Sequence, residues 1–471
     1  MKPPNILVFL TDDHGQWASG AYGNRELHTP VMQWLADTGA RAEHAFCPNP
    51  VCSPARASFW TGQIPSRHGI HDYLGEPNEN PVHRGIAGQP TLASFLQERG
   101  YRTGMVGKWH AGDYWHPMPG FDTWFTSTRG TNARCGPQAF VDGTERIETF
   151  GHQETVYTDR ALRFLREWSA DAEKPFFLYA GYTNTHTPHD GETAPLVHHY
   201  RKCRFADLPG VTYTGAHGHA RIAPFDARED ARRAQNAEYY AAVEVIDQQM
   251  LRIVAELENL GQLENTLIVY TSDHGHMNGH HGLHTKANAT IPPNFLEESL
   301  HVPLLLRHPR LIPEGMRLPS PVDHCDLFAT LLDAAGADAE AVAARQASPG
   351  RSFLPLLRDT RTPWRQLQFA ESGPNRMVRS ARDKLIVRFP LFANPAGEEY
   401  YDLENDPTET TNAASNPAHR HRVAELRREL EAYFGRYSDP AKSGTNPAAL
   451  GVRHNDFDAW LKKPGDDDHR Q

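Results

Sequence analysis

The run Asn5-Ile6-Leu7-Val8-Phe9-Leu10 is apolar at successive positions after its first residue, and comparable runs recur at Phe176 to Tyr182, Thr266 to Thr271 and Val302 to Leu306. A strand without polar alternation belongs in a sheet covered on both faces. Helical stretches lie between these runs. Thr29-Pro30 opens a helix closed by Gly39, and Thr91 to Arg99 forms another that ends at Gly100. From Glu229 to Leu260, Val243, Ile246, Met250, Ile253, Val254 and Leu257 keep helical spacing, which predicts one long amphipathic helix. The expected fold class is α/β: a large mixed, mostly parallel sheet flanked by helices. Near Thr362-Pro363 the pattern changes to short strands at Gln368 to Ala370 and Lys384 to Arg388. A turn-rich run, Tyr401 to Pro407, and a charged helix from about His419 to Tyr433 follow. This predicts an α/β domain over 1–362 and a smaller C-terminal α+β domain over 363–471, with Asp466-Asp467-Asp468 as a solvated end. The stretches 111–155 and 183–228, rich in His, Gly, Pro and Thr without clear period, read as long loops suited to substrate selection.

Composition narrows the function classes. A chain of 471 residues that is 39% hydrophobic can bury a large core. A net charge of -10 excludes a general nucleic-acid binder, which needs a basic surface, so an anionic ligand requires a local cationic pocket. No apolar run is long enough to span a membrane, and the first strand begins too early for a signal-peptide core; a cytoplasmic protein is expected. Cys47, Cys52, Cys135, Cys203 and Cys325 make an odd set without paired zinc spacing, which suits a reducing compartment.

In a parallel α/β sheet a site lies outside the carboxyl ends of the strands. The first strand ends in Thr11-Asp12-Asp13-His14-Gly15, the 176–182 strand leads to Asn184-Thr185-His186-Thr187-Pro188, and the 266–271 strand ends in Ser272-Asp273-His274-Gly275. Adjacent carboxylates repel when desolvated, and a divalent cation between them keeps both ionised. Asp12, Asp13, Asp273 and His274 are therefore candidate ligands in an oxygen-dominated shell suited to Ca²⁺ or Mg²⁺, with the imidazole also compatible with Mn²⁺ or Zn²⁺. Cys52-Ser53-Pro54-Ala55-Arg56 reads as the entry to a helix that runs to Gly62. Cys52 then sits where backbone N–H groups and the helix dipole favour an anion, and Arg56 adds a cation one turn along.

Cys-x-Pro-x-Arg, taken with Asp12-Asp13, Gly107-Lys108-Trp109-His110 and Ser272-Asp273-His274-Gly275 in that order, resembles type I, formylglycine-dependent sulfatases of the alkaline phosphatase superfamily. His186 and Lys286 resemble the family's remaining active-site histidine and lysine. The segments 297–304 and 401–407 also resemble family segments, so the likeness covers nearly the whole chain. It departs in two places: His274 stands where many sulfatases carry Asn, and residues 287–296 make a longer gap before Glu297-Glu298 than is usual.

The resemblance implies hydrolysis of a sulfate ester to an alcohol and sulfate by a formylglycine made from Cys52 by a formylglycine-generating enzyme, with one divalent metal, Ca²⁺ before Mg²⁺ or Mn²⁺. It implies metal ligands at Asp12, Asp13, Asp273 and His274, with residue 52 completing the shell. One oxygen of the hydrated aldehyde attacks sulfur and the other later loses its proton to expel sulfate. Arg56 steadies the nucleophile, Lys108 and Lys286 neutralise sulfate oxygens, His110 serves the second hydroxyl and His186 the leaving oxygen. The expected substrate is a small-molecule or saccharide sulfate ester, with no nucleic-acid or membrane partner. Two other readings stand beside this one: a phosphonate monoester or phosphodiester hydrolase of the same superfamily, and a non-catalytic binder of sulfated ligands.

Overall fold

The structure, a computed structural model, describes residues 3–75, 85–128, 134–189, 191–222, 224–226, 228–391 and 394–450. The acidic run at 466–468 and the end of the expected second domain lie outside them. Ten strands form the main sheet: β1 (Asn5–Thr11), β2 (Ala40–Ala42), β3 (Arg102–Gly107), β4 (Thr123–Ser127), β5 (Cys135–Asp142), β6 (Glu145–His152), β7 (Phe176–Gly181), β8 (Thr266–Ser272), β9 (Leu304–Arg307) and β10 (Met316–Leu318). Their spatial order is β10-β2-β9-β8-β1-β7-β3-β4-β5-β6. The middle strands β8, β1, β7, β3 and β4 are mutually parallel. Antiparallel strands flank them on both sides.

The apolar runs are continuous because each strand serves two cores. Ile6, Val8 and Leu10 of β1 face one cluster with Phe59 and Trp60 of α2 (Cys52–Thr61) and Leu327 and Phe328 of α5 (His324–Ala334). Leu7 and Phe9 face the other, with Val31 and Met32 of α1 (Pro30–Asp37), Leu165 of α3 (Gln153–Ser169) and Ile246 and Met250 of α4 (Glu229–Asn259). The predicted apolar stripe of α4 is buried in this second cluster. Thr29 does not cap α1 through its side chain. Instead Asp247 of α4 accepts the backbone N–H groups of Val31 at 3.0 Å and Met32 at 2.8 Å, so the long helix supplies the cap of its neighbour.

The stretch 111–155 is more ordered than its composition predicts: it contains β4 and the β5–β6 hairpin at the sheet edge. Stretch 183–228 holds one short helix, Ala194–Tyr200, and a two-residue strand, His219–Ala220. A second, antiparallel sheet of β11 (Gln368–Ser372), β12 (Asn375–Arg379), β13 (Asp383–Arg388) and β14 (Gly397–Asp402) packs against α6 (Arg420–Tyr437). Val378, Leu385 and Tyr400 meet α6, whereas Ala370, Met377, Ile386 and Tyr401 join the first core of the main sheet.

Among the described residues no helix is long and apolar enough to cross a membrane.

Candidate active site

Parallel pairing brings the strand ends together. Thr11 lies opposite Ser272, Leu10 opposite Gly181, and Gly181 opposite Gly107. The residues that follow, Asp12-Asp13, Asp273-His274, the 182–186 segment and Lys108-Trp109-His110, therefore leave the same edge of the sheet. Gly107 has φ +105°, and a Cβ there would stand 2.0 Å from the Gly181 carbonyl oxygen, so only glycine lets β3 approach β7 and turn Lys108 inward. Asp13 and His110 also adopt left-handed backbone, at φ 56° and 50°. Non-glycine residues held there mark positions that surrounding structure over-determines.

Residue 52 opens α2 beside these strand ends, with Val51 as the extended N-cap. Cys52 Sγ lies 2.8 Å from Lys286 Nζ, 3.3 Å from His274 Nε2 and 3.4 Å from Asp12 Oδ1. One turn along, Arg56 is wholly buried and ties two strand ends together, donating from Nη2 to Asp12 Oδ2 and from Nε to Asp273 Oδ2, both at 2.9 Å. Its Nη1 donates to the Lys108 carbonyl and the Tyr179 hydroxyl, both at 3.0 Å. Lys108 Nζ faces Asp12 Oδ2 at 2.5 Å, and Lys286 Nζ donates to Asp13 Oδ1 at 2.8 Å.

The charges explain the titration of the cluster. Burial alone would raise the Asp12 carboxyl, but Lys108, Lys286, His186 and Arg56 outweigh it and hold it well below the usual carboxylate range. Burial and Asp12 push the Cys52 thiol upward, and Lys108, Lys286 and His274 bring it well below the ordinary thiol value. Asp273 is raised to about 7 by burial and by Asp12. His274 reaches about 9 because Asp273 outweighs the effect of burial.

A divalent cation fits these residues. Donor atoms of Asp12, Asp13, Cys52 and His274 lie within 4.8 Å of one another, all buried. Asp13 Oδ2 is buried without a hydrogen-bond partner, the mark of an oxygen built to meet something other than protein. Asp273 borders the cluster: its Oδ1 accepts the His274 N–H at 2.9 Å and stands 3.5 Å from His274 Nε2, while its other oxygen is held by Arg56. Protons on Asp273 and His274 would be displaced by such a cation.

The two remaining histidines have defined tautomers. His110 Nε2 lies 2.7 Å from the Leu74 carbonyl, which can only accept, so the proton sits on Nε2 and Nδ1 keeps its lone pair. Nδ1 is buried without a hydrogen-bond partner, and both Lys108 and Cys52 act on this ring. Burial and then Lys108 lower the His110 pKa to about 4, so the ring is a neutral base near pH 7. His186 is half-buried and its Nδ1 donates to the Thr187 carbonyl at 2.5 Å, which leaves Nε2 free.

Apart from His186, which acts on the cluster through its charge on Asp12, the residues singled out from the sequence stand at or beside residue 52 or its carboxylates. Tyr179, the Leu74 carbonyl and His276 escaped that reading. His276 Nδ1 lies 3.7 Å from Asp13 Oδ2, and its ring stacks on Tyr239, whose hydroxyl donates to the Asp13 carbonyl at 2.9 Å. The one signal for Tyr179 was a polar tip in the otherwise apolar β7; a backbone carbonyl leaves no signal.

The sulfatase family model matches residues 4–337, and a model described as N-sulphoglucosamine sulphohydrolase, C-terminal, matches 279–435. Choline-sulfatase of Rhizobium meliloti is 27% identical over 88% of this chain and 83% of its own length. N-acetylglucosamine-6-O-sulfatase of Bacteroides thetaiotaomicron is 27% identical over 93% of this chain and 87% of its own. A solved structure in complex with its substrate D-glucosamine-2-N,6-O-disulfate superposes with a TM-score of 0.73 at 24% identity, covering 93% of this chain and 98% of that one. With its family model matched across the main sheet and both ends of the residue 52 cluster, the chain belongs to the sulfatase family and is a sulfuric ester hydrolase.

Proposed function

We propose that the protein hydrolyses a small-molecule or saccharide sulfate ester with a formylglycine made from Cys52 and one divalent cation, Ca²⁺ before Mg²⁺ or Mn²⁺. The observation that carries this reading is the placement of residue 52 at the start of α2 within 3.4 Å of Asp12, His274 and Lys286. Relatives named for choline sulfate and N-acetylglucosamine 6-sulfate support both kinds of alcohol. The oxygen-rich set of Asp12, Asp13 and Asp273 favours a hard cation, with His274 the single nitrogen ligand.

When present, the hydrated aldehyde supplies a nucleophilic oxygen in place of Sγ, and the cation supplies Lewis acidity. The chain's own residues do the rest. Lys108 and Lys286 face the space beside residue 52 and neutralise sulfate oxygens that lose their water on entering. Arg56 fixes the two carboxylates on which the cation rests. His110 Nδ1 takes a proton from the group on residue 52, and His186 serves the leaving oxygen through Nε2, delivering a proton there when the ring is an imidazolium carrying protons on both nitrogens.

Cys52, Ser53, Ala55 and Arg56 are each at most 2% exposed, and Pro54 between them is buried. A formylglycine-generating enzyme must therefore reach the run before the chain folds. The test is peptide mass spectrometry of protein made with that enzyme, together with kcat/KM on matched aryl sulfate and aryl phosphodiester substrates. Aldehyde at position 52 and preference for the sulfate are expected. Sulfatase activity in protein that carries only the thiol overturns the nucleophile; preference for the phosphodiester promotes the phosphonate and phosphodiester reading.

A further inference from the structure

The chain as encoded carries a thiol at position 52, and with that sulfur the cluster is a different donor set from the one an aldehyde hydrate would complete. Cys52 Sγ, His274 Nε2 and one oxygen each of Asp12 and Asp13 lie within 4.8 Å of one another, all buried. Sγ stands 3.3 Å from His274 Nε2 and 3.4 Å from Asp12 Oδ1, and His274 Nε2 stands 3.3 Å from Asp13 Oδ1. At ordinary zinc bond lengths and tetrahedral angles, neighbouring ligands stand about 3.5–3.6 Å apart for S···N, about 3.5–3.7 Å for S···O and about 3.3–3.5 Å for N···O. The three observed separations fall within about 0.2 Å of these ranges. One sulfur, one nitrogen and two oxygens therefore stand close to the corners that a four-coordinate zinc ion needs.

Two further observations point to a cation. His274 Nδ1 donates to the Gly275 carbonyl at 2.8 Å, which orients the ring and leaves Nε2 to offer its lone pair beside Sγ. Asp13 Oδ2 is buried without a hydrogen-bond partner. Lys286 already brings positive charge to this point, its Nζ lying 2.8 Å from both Cys52 Sγ and Asp13 Oδ1. An entering cation displaces that ammonium. Residues 287–296 fold into a clip in which Thr290–Ile291 pairs with His219–Ala220 and Asn294 donates to the Lys286 carbonyl at 3.3 Å, so the backbone stays and the flexible stem moves.

The sulfur selects the ion. Ca²⁺ takes about six to eight oxygen ligands and Mg²⁺ keeps an octahedron of oxygens, so neither gains from a thiolate. Zn²⁺ accepts thiolate, imidazole and carboxylate together and is satisfied by four ligands. Cu⁺ also favours sulfur, but two carboxylates suit it poorly. Conversion of Cys52 to formylglycine replaces the sulfur by oxygen, and the remaining residues then suit a hard cation.

We propose that the chain before maturation holds zinc through Cys52, His274, Asp12 and Asp13, and that loss of the sulfur turns the site over to a hard cation. Binding involves no redox change: sulfur enters as thiolate and His274 as neutral imidazole, and their protons leave to solvent. Zinc and the maturing enzyme then compete for the same thiol in newly made chain. The experiment uses the full chain made without a formylglycine-generating enzyme, with cysteine at position 52 verified by peptide mass spectrometry and metal removed by a chelator. Zn²⁺ and Ca²⁺ affinities are measured by competition with a chromophoric chelator, and Co²⁺ serves as the spectroscopic probe. Wild type should show a sulfur-to-cobalt charge-transfer band in the near ultraviolet that Cys52→Ser lacks. Zinc affinity should be at least a hundredfold weaker in Cys52→Ser, with calcium affinity no weaker. A wild type without the band, or zinc affinities within threefold of each other, overturns the proposal. If Cys52→Ser lacks the native circular dichroism spectrum, matured wild type takes its place, with the same expected and overturning results. Because no turnover is measured, a negative result leaves the formylglycine reading standing, and an inactive matured enzyme leaves the zinc site standing.

Discussion

Around residue 52 the charges of Asp12, Asp13 and Asp273 balance those of Arg56, Lys108 and Lys286, so a bound dication leaves the pocket about two charges positive. That surplus is how a chain with net charge -10 can draw in an anionic ester. Within the cluster Lys108 is placed to act on the transferred group, because its ammonium faces Asp12 without an aligned hydrogen bond to any acceptor. Lys108→Ala is expected to reduce kcat on an aryl sulfate by roughly a hundredfold or more. Metal content by elemental analysis and the circular dichroism spectrum should hold, and loss of metal would reassign Lys108 to the cation site. His110→Ala should differ in kind, keeping a first-turnover burst of alcohol while steady-state turnover falls, as stopped-flow would show. Since burial and Lys108 hold the His110 pKa at about 4, its base form persists from neutral pH down to that value. The rate step it serves should stay flat from about pH 8 to pH 5, and an acid limb near the ordinary histidine value of about 6.5 would refute the assignment. Asp12, Asp13, Asp273 and His274 were legible in the sequence because they follow strand ends, and Cys52 and Arg56 because they open a helix, whereas Lys108 and Lys286 came only from the family resemblance. The His110 tautomer was not legible, since it is set by the backbone carbonyl of Leu74, thirty-six positions away in the chain.

Elements align these residues through a few close contacts. Gly107→Ala would force a Cβ against the Gly181 carbonyl at 2.0 Å and strain a backbone at φ +105°. It is expected to displace Lys108 and His110 and to lower kcat more than stability. Gly100, at φ +84° with nothing within 4 Å of its would-be Cβ, is the control: Gly100→Ala should cost about 1 kcal/mol of stability by urea titration and leave kcat alone. Equal kcat losses in the two variants would show that backbone strain, not the β3–β7 approach, carries the effect. The strands of the parallel core were readable because burial on both faces leaves continuous apolar runs. The β5–β6 hairpin was not. Its edge strand β6 alternates exposed and half-buried positions across Arg146, Ile147, Glu148 and Thr149, a weak signature amid polar residues that only pairing with β5 resolves. The cap of α1 by Asp247 was equally hidden, because its donors and acceptor are more than two hundred positions apart.

At the scale of the molecule, the change of pattern near Thr362 marks a change of architecture rather than a break in packing. The second sheet turns Ala370, Met377, Ile386 and Tyr401 into the core of the first, and Ile64 and Cys325 of the first join the cluster under α6. Buried charges cross the same junction. Lys384 of β13, wholly buried, reaches Glu297 at 2.8 Å and Glu409 at 2.6 Å, and Arg379 of β12 also binds Glu297. Glu297 follows directly on the clip 287–296, so this network anchors the segment that presents Lys286. Removing one member of a buried ion pair strands its partner, at a cost of about 3–5 kcal/mol. Lys384→Met should therefore lower the thermal midpoint in one cooperative transition that moves both sheets together. Two separate transitions would mean that the sheets fold independently. The deficit should also depend on pH with a defined sign. Burial already raises the Glu409 carboxyl to about 7 while Lys384 opposes the rise, so losing Lys384 raises it further. A carboxyl whose folded pKa exceeds its unfolded value of about 4.3 contributes stability when protonated, and loses it as pH climbs through the folded value. The stability difference between wild type and Lys384→Met should accordingly be smaller at pH 5 than at pH 8, measured by urea titration. A difference that stays constant from pH 8 to pH 5 and shrinks only below the ordinary carboxylate value of about 4.3 would place the cost on Glu297, which Arg379 and His301 continue to hold ionised, and not on Glu409.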